Sequence, residues 1–238
     1  MNFGQRLIVR LSFSLIAALF LVFTAAAQNA TLGVDVGEIS DRFGALTRNT
    51  DAVAMIDGQG TIFDWTKGGG PDIVVGGEIR LPSDTSTHAT EFAGFAGPEF
   101  WLRGRFMVGL HVTARKAYLP SSEINGMFFE RDRMLLLELP VVAEYKFGPS
   151  RHAFIEAQGT PEFSPHFSGS AAVQEGLFTP ILDKGYAFRG TGGYNFGRWY
   201  AKAGYELRSF KFTNNANNPN NLYNWRTNVF TAGVGFTF

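Results

Sequence analysis

The sequence predicts an all-β fold, a transmembrane antiparallel up-and-down β-barrel of ten strands, and three observations predict it. Apolar and polar residues alternate with a period of two through ten segments, which is the signature of strands with one greasy face and one polar face. The connections between those segments alternate between short and long, as they do where short turns lie on one side of a membrane and long loops on the other. The chain closes on VFTAGVGFTF, with Phe230, Ala232, Val234, Phe236 and Phe238 on one face and small or polar residues between them. In water those rings would have nothing to bury against, because termini fray.

Composition narrows the class. The 238 residues include 24 Phe and 28 Gly, no Cys, and 21 Lys and Arg against 21 Asp and Glu. Neutrality removes the electrostatic case for nucleic acid as a partner, which needs a basic face. The lack of Cys excludes a disulfide scaffold and thiolate metal sites. Residues 1–27 begin with Arg6 and Arg10, continue in an apolar run from Leu11, and finish on Ala25, Ala26 and Ala27. This predicts a signal peptide cleaved before Gln28, leaving 28–238 as one barrel domain. From residue 28 onward no run of about 18 apolar residues occurs, so a membrane would be crossed by strands.

In chain order, strands are expected near 31–40, 52–65, 72–82, 90–102, 105–118, 132–147, 151–167, 184–196, 199–212 and 225–238. These are long enough for a tilted membrane strand, which needs about 9–11 residues. Short connections fall at Lys67–Pro71, 103–105, 148–150 and 197–198, and long ones at 41–51, 83–89, 119–131, 168–183 and 213–224. The short set is expected on the periplasmic side. The Asn-rich stretch at 214–221 cannot build a core and is expected outside. An eight-stranded alternative makes 28–70 a periplasmic or plug segment preceding Asp72, and the turn KGGGP is compatible with either count.

Strand parity then sorts the side chains. Phe106, Val108, Leu110, Val112 and Ala114 oppose Met107, Gly109, His111, Thr113 and Arg115, and Trp199, Ala201, Ala203, Tyr205 and Leu207 oppose Lys202, Glu206 and Arg208. A soluble sandwich would also alternate. The aromatics decide, because Phe100, Phe106, Tyr145, Phe147, Phe196, Trp199, Phe236 and Phe238 lie on the apolar face beside short turns or at the terminus. That is an interfacial girdle. A cation facing lipid at mid-depth costs about 2–4 kcal/mol. Arg80, Arg115, Lys146, Arg189, Lys202 and Arg208 are therefore expected in the lumen with Glu78, Glu99, Glu138, Glu144, Glu156, Glu162 and Glu206. Mixed charges in so narrow an interior predict an ion-paired network that fills it; a narrow diffusion pore for small solutes is the alternative. Lys116, Arg133, Lys184, Lys211 and Arg226 have lipid-facing parity next to long loops. They are expected to meet lipopolysaccharide phosphates.

On the closing strand NVFTAGVGFTF, with its terminal Phe238 and alternating Phe230, Val234 and Phe236, and on the strand ends GPEF and YKFG, the chain resembles the small outer-membrane β-barrel proteins of diderm bacteria. The resemblance covers essentially all of 28–238. It implies an outer-membrane location, contact with membrane lipid, and recognition of the closing strand by the barrel-assembly machinery. It leaves the activity and any loop ligand open. Two enzyme types of that class bear comparison. HFS at 166–168 resembles the His-x-Ser of lipid A deacylases, with His166 and Ser168 assigned by parity to the lumen beside Glu156 and Glu162, and without the Asn that usually follows. Glu162 and His166 could form a general-base pair, but the paired carboxylates of the omptin proteases are not recognisable. His88 and His111 lack metal-ligand spacing. The sequence is thus read as a non-enzymatic barrel without cofactor or metal, having an ion-paired lumen and surface loops for structural or interaction roles.

Overall fold

The structure, a computed structural model, describes residues 28–43, 49–64, 70–85, 87–118, 122–124, 127–129, 133–168, 180–214 and 222–238. The expected signal peptide lies outside them. Among the described residues there are fourteen strands and no helix: β1 (Gln28–Phe43), β2 (Asn49–Phe63), β3 (Asp72–Pro82), β4 (Thr90–Leu102), β5 (Phe106–Leu110), β6 (Val112–Tyr118), β7 (Ser122–Ile124), β8 (Met127–Phe129), β9 (Arg133–Glu138), β10 (Val141–Phe147), β11 (Ala153–Ser168), β12 (Pro180–Phe196), β13 (Trp199–Asn214) and β14 (Leu222–Thr237). Twelve of them form one antiparallel sheet that closes on itself. The short β7 and β8 pair with each other, within the long connection expected at 119–131.

The wall has ten staves, because β5 and β6 are the two halves of one stave and β9 and β10 the two halves of the next. Both β5 and β6 pair with β4, and both β9 and β10 pair with β11. The segments 105–118 and 132–147, each expected as one strand, are therefore interrupted. The physical reason is Pro140, which has no N–H to donate across the ladder; its carbonyl still accepts from the His111 N–H at 2.9 Å. The eight-strand alternative is set aside, since β1 and β2 are full staves.

Closure joins β1 to β14. Leu32 faces Phe236 and Val36 faces Ala232, and the Phe238 N–H donates to the Ala30 carbonyl at 2.8 Å. Among the described residues no stave of the barrel wall is left with an unpaired side, which a backbone surrounded by lipid requires. At the short turns Gly148 and Gly197 have φ of 77° and 81°, the left-handed region that favours glycine.

The outside of the wall is greasy. Phe196 is 62% exposed, Phe238 61% and Trp199 59%, with Phe100, Tyr145 and Phe147 also turned outward. Val34, Val36, Val108, Leu110, Val112, Leu135, Leu137 and Ile155 form the exposed belt above them, and Tyr186, Phe188, Tyr205 and Phe230 extend it towards the other rim. Exposure of this extent is stable only against hydrocarbon. The polar side chains face inward, so the protein is inverted relative to a soluble one.

Candidate functional site

The lumen is layered, and each layer follows from which residue of each stave faces in. At the waist stand four glutamates and four arginines. Glu78 and Arg80 come from β3, Glu91 from β4, Arg115 from β6, Glu138 from β9, Arg189 from β12, and Glu206 and Arg208 from β13. Glu91 Oε2 accepts from Arg208 at 2.8 Å and from Arg115 at 2.9 Å, with Arg80 at 3.5 Å. Glu138 accepts from Arg115 at 2.7 Å, and Glu206 from Arg80 at 2.9 Å and from Arg189 Nε at 2.9 Å. Glu78 meets Arg80, Arg115 and Arg189.

The pair Arg208–Glu91 joins β13 to β4, staves on opposite sides of the ten-stave wall. These charges therefore bridge the whole lumen. Equal numbers of each sign satisfy one another in a medium where an unpaired charge would cost several kcal/mol. The waist is shut: Arg80 is 0% exposed, Glu91 and Glu138 1% and Arg208 2%.

Towards the long loops the lumen turns apolar. Phe210 and Trp225 stack with centroids 5.1 Å apart, and Met134, Leu136, Ala117 and Ala89 pack with them. Above, the β3–β4 connection is tied down by His88, whose Nδ1 lies 3.0 Å from Asp41 Oδ2, while Trp225 Nε1 donates to Asp41 Oδ1 at 3.4 Å. Towards the short turns the lumen opens into a vestibule of about 640 Å³. There Lys202 pairs with Asp57 at 2.6 Å and Asp35 at 3.1 Å, Lys146 with Glu144 at 3.4 Å, and His111 Nε2 lies 3.3 Å from Glu99. Glu156 also lines it.

Seven residues assigned to the lumen charge set (Glu78, Arg80, Arg115, Glu138, Arg189, Glu206 and Arg208) meet at the waist, while Glu99, Glu144, Lys146, Glu156 and Lys202 stand in the vestibule. The Glu162 side chain lies outside the described residues; its backbone is opposite Glu138. Sequence reading passed over Glu91, Asp35, Asp57 and the Asp41–His88 pair. Glu91 was readable, since it shares parity with Glu99 eight residues on.

At the outer rim Lys116, Lys184 and Arg226 are exposed and Lys211 is half-buried; the Arg133 side chain lies outside the described residues. Register adds Arg42, which was overlooked. Arg42 stands directly opposite Arg226, and Lys184 directly opposite Lys211. Each of the six cations lies ten or twelve residues from an apolar-face residue at the short-turn end of its stave, as Arg226 does from Phe236 and Lys211 from Trp199. That is about 25–30 Å along the membrane normal for a tilted strand.

The assignment of His166 and Ser168 to lumen parity needs correction. An irregularity in β11 between Phe163 and His166 inserts one residue, so His166 stands opposite Leu135 and Ser168 opposite Arg133. Leu135 is a lipid-facing position. The side chains of both residues lie outside the described set.

No protein-family model matches the chain, and no curated protein matches it in sequence. Solved structures do match. The outer membrane protease OmpT from Escherichia coli is similar with a TM-score of 0.55 at 11% identity, over 89% of this chain and 97% of that one. An outer-membrane channel from Pseudomonas putida F1 gives 0.46 at 11%, over 90% and 98%, and the KdgM porin 0.40 at 10%, over 87% and 99%. At such identities the likeness is one of fold. With the exposed apolar belt and its girdles, that fold makes the chain an integral β-barrel of the bacterial outer membrane.

Proposed function

We propose that this protein is a non-enzymatic, non-conducting barrel whose lumen is its core and whose specificity lies on its outer surface. The observation that carries the reading is the sealed waist, where Arg80, Glu91, Glu138 and Arg208 leave no exposed side-chain surface wide enough for water to follow. A diffusion pore needs a continuous wet path lined by its charges. Planar-bilayer recordings of refolded protein are expected to show no current steps. The double variant Arg80→Ala/Arg208→Ala, which empties the centre of the waist, is expected to conduct if it folds. Steps from the wild-type protein would replace this reading with the pore.

The partner proposed for the outer rim is the phosphate of outer-leaflet lipopolysaccharide. Like charges directly opposite one another repel, and Arg42 stands so opposite Arg226 between β1 and β14. An anion between them removes the repulsion. Replacing Lys116, Arg133, Lys184, Lys211 and Arg226 by Gln is expected to reduce co-purifying lipopolysaccharide severalfold; undiminished retention refutes the contact.

One observation favours a second reading, an enzyme acting on lipid. The irregularity in β11 places the backbone of His166 and Ser168 in register with lipid-facing positions, where an acyl chain would be within reach. Deacylation of lipid A by the wild-type protein, lost in Ser168→Ala, would establish it.

A further inference from the structure

The vestibule has a charge imbalance that the rest of the lumen lacks. At the waist, four carboxylates meet four guanidinium groups. The cavity below is lined by the waist's Glu78, Glu138, Arg115 and Arg189, which are paired among themselves, and beyond them by Asp57, Asp72, Glu99, Glu144 and Glu156 against Lys146 and Lys202. Lys202 is engaged on the β1–β2 side by Asp35 and Asp57. The excess therefore falls on the opposite wall, built by β4, β5, β10 and β11.

On that wall Glu144 and Glu156 are direct cross-strand neighbours, an arrangement that is unfavourable for two like charges left alone. Glu144 has Lys146 beside it. Glu156 makes no hydrogen bond or ion pair among the described residues and opens onto the cavity. Next to them His111, with its side chain only 7% exposed, lies between the vestibule and the ring of Phe95, with which it stacks at 5.1 Å. Its Nε2 makes no hydrogen bond, although Glu99 lies 3.3 Å away. Buried polar atoms normally find partners, so this unsatisfied nitrogen, facing a polar cavity, is a second mark of a missing ligand.

The chemistry of that ligand is legible in the chain's own use of the site. The Lys146 ammonium sits 4.1 Å from the centroid of Trp101 while its Nζ pairs with Glu144, a cage of one ring and one carboxylate that suits an amine. The neighbouring Glu156 and Glu99 have no such amine. Among the described residues no three carboxylate or His groups converge closely enough to chelate a metal ion, which argues for an extended cation over a compact one. A volume of about 640 Å³ lies in the range of small-molecule sites. The sealed waist makes it a blind site, reached from the periplasm only.

We propose that the vestibule binds a small organic polycation of the periplasm, an aliphatic diamine or triamine, with its ammonium groups held by Glu99, Glu144 and Glu156. The test is calorimetric titration of the refolded full chain in uncharged detergent at 150 mM NaCl, about the physiological ionic strength, with spermidine, 1,4-diaminobutane and magnesium chloride as probes. Saturable binding of spermidine to one site, at least tenfold weaker in Glu156→Gln and unchanged in Glu38→Gln, is expected. Glu156→Gln relieves the repulsion from Glu144, so the variant is expected to fold, and its heat-modifiable gel mobility checks this. Glu38 stands on the lipid-facing side of β1 and controls for loss of charge alone. Absent saturation by either amine overturns the proposal. So does undiminished binding by Glu156→Gln, or magnesium binding as tightly as spermidine, which would mean a diffuse counterion cloud.

Discussion

Glu91 accepts from Arg115 and Arg208 and lies within ion-pair distance of Arg80, and all four side chains are buried. Removing one member of a buried ionic set leaves the others uncompensated, at a cost of about 3–5 kcal/mol. Glu91→Gln is expected to lower the stability of the folded barrel by that amount, read from urea unfolding in detergent, whereas Lys184→Gln on the exposed rim is expected to change it by less than about 0.5 kcal/mol. Close approach of backbone to ring matters as much at Gly235. Tyr200 lies across it, so that a Cβ there would fall on the ring. Gly235→Val is expected to displace Tyr200 and cost about 1–3 kcal/mol, the usual penalty for overpacking.

Among the elements, β14 carries the seam, and Phe238 follows directly on it. Thirteen of its register partners lie on β1, from Thr31–Thr237 to Phe43–Trp225, and Phe238 adds one more backbone bond to Ala30. Its ring packs edge-on against Phe236 at 5.1 Å, and Phe236 in turn on Trp199 at 4.9 Å. Deleting Phe238 is expected to slow or block membrane assembly, scored as the heat-modifiable folded fraction in cells, while Thr237→Ser is expected to assemble normally. Normal assembly of the deletion would mean that the terminal ring is dispensable. The two irregular elements show where counting by twos fails. Pro140 interrupts hydrogen bonding but leaves the inward parity of Met107 to Arg115 and of Met134 to Glu144 intact, whereas the inserted residue in β11 changes which positions face each other.

On the scale of the whole molecule, the barrel is sealed by layers that alternate in chemistry. An apolar plug of Phe210, Trp225, Met134 and Leu136 stands over the ionic waist, and the His88–Asp41 contact fastens a loop above both. This order explains why a lumen rich in charge does not conduct on the reading proposed here: the charges face one another across the axis and leave none for a permeating ion. The same order leaves the lumen open towards the short turns, where Glu99, Glu144 and Glu156 line the vestibule. It also leaves the outer rim positive on the contiguous staves β12, β13, β14 and β1, through Lys184, Lys211, Arg226 and Arg42.

The sequence by itself determined the class, the strand segments, and the inward parity of residues such as Arg80, Arg115 and Glu206, while the choice of ten staves over eight came from the pairing of β1 and β2. The first three follow from a period of two and from the refusal of lipid to accept charge or unpaired backbone. Only the tertiary structure decided which charges meet. Arg208 and Glu91 are 117 residues apart, and no local pattern states that their staves face each other across the lumen; that depends on closure at ten staves and on the stagger between them. The vestibule, the apolar plug and the facing cations Arg42 and Arg226 have the same origin, because height along the axis is set by register, and register is a relation between strands that neither strand carries alone.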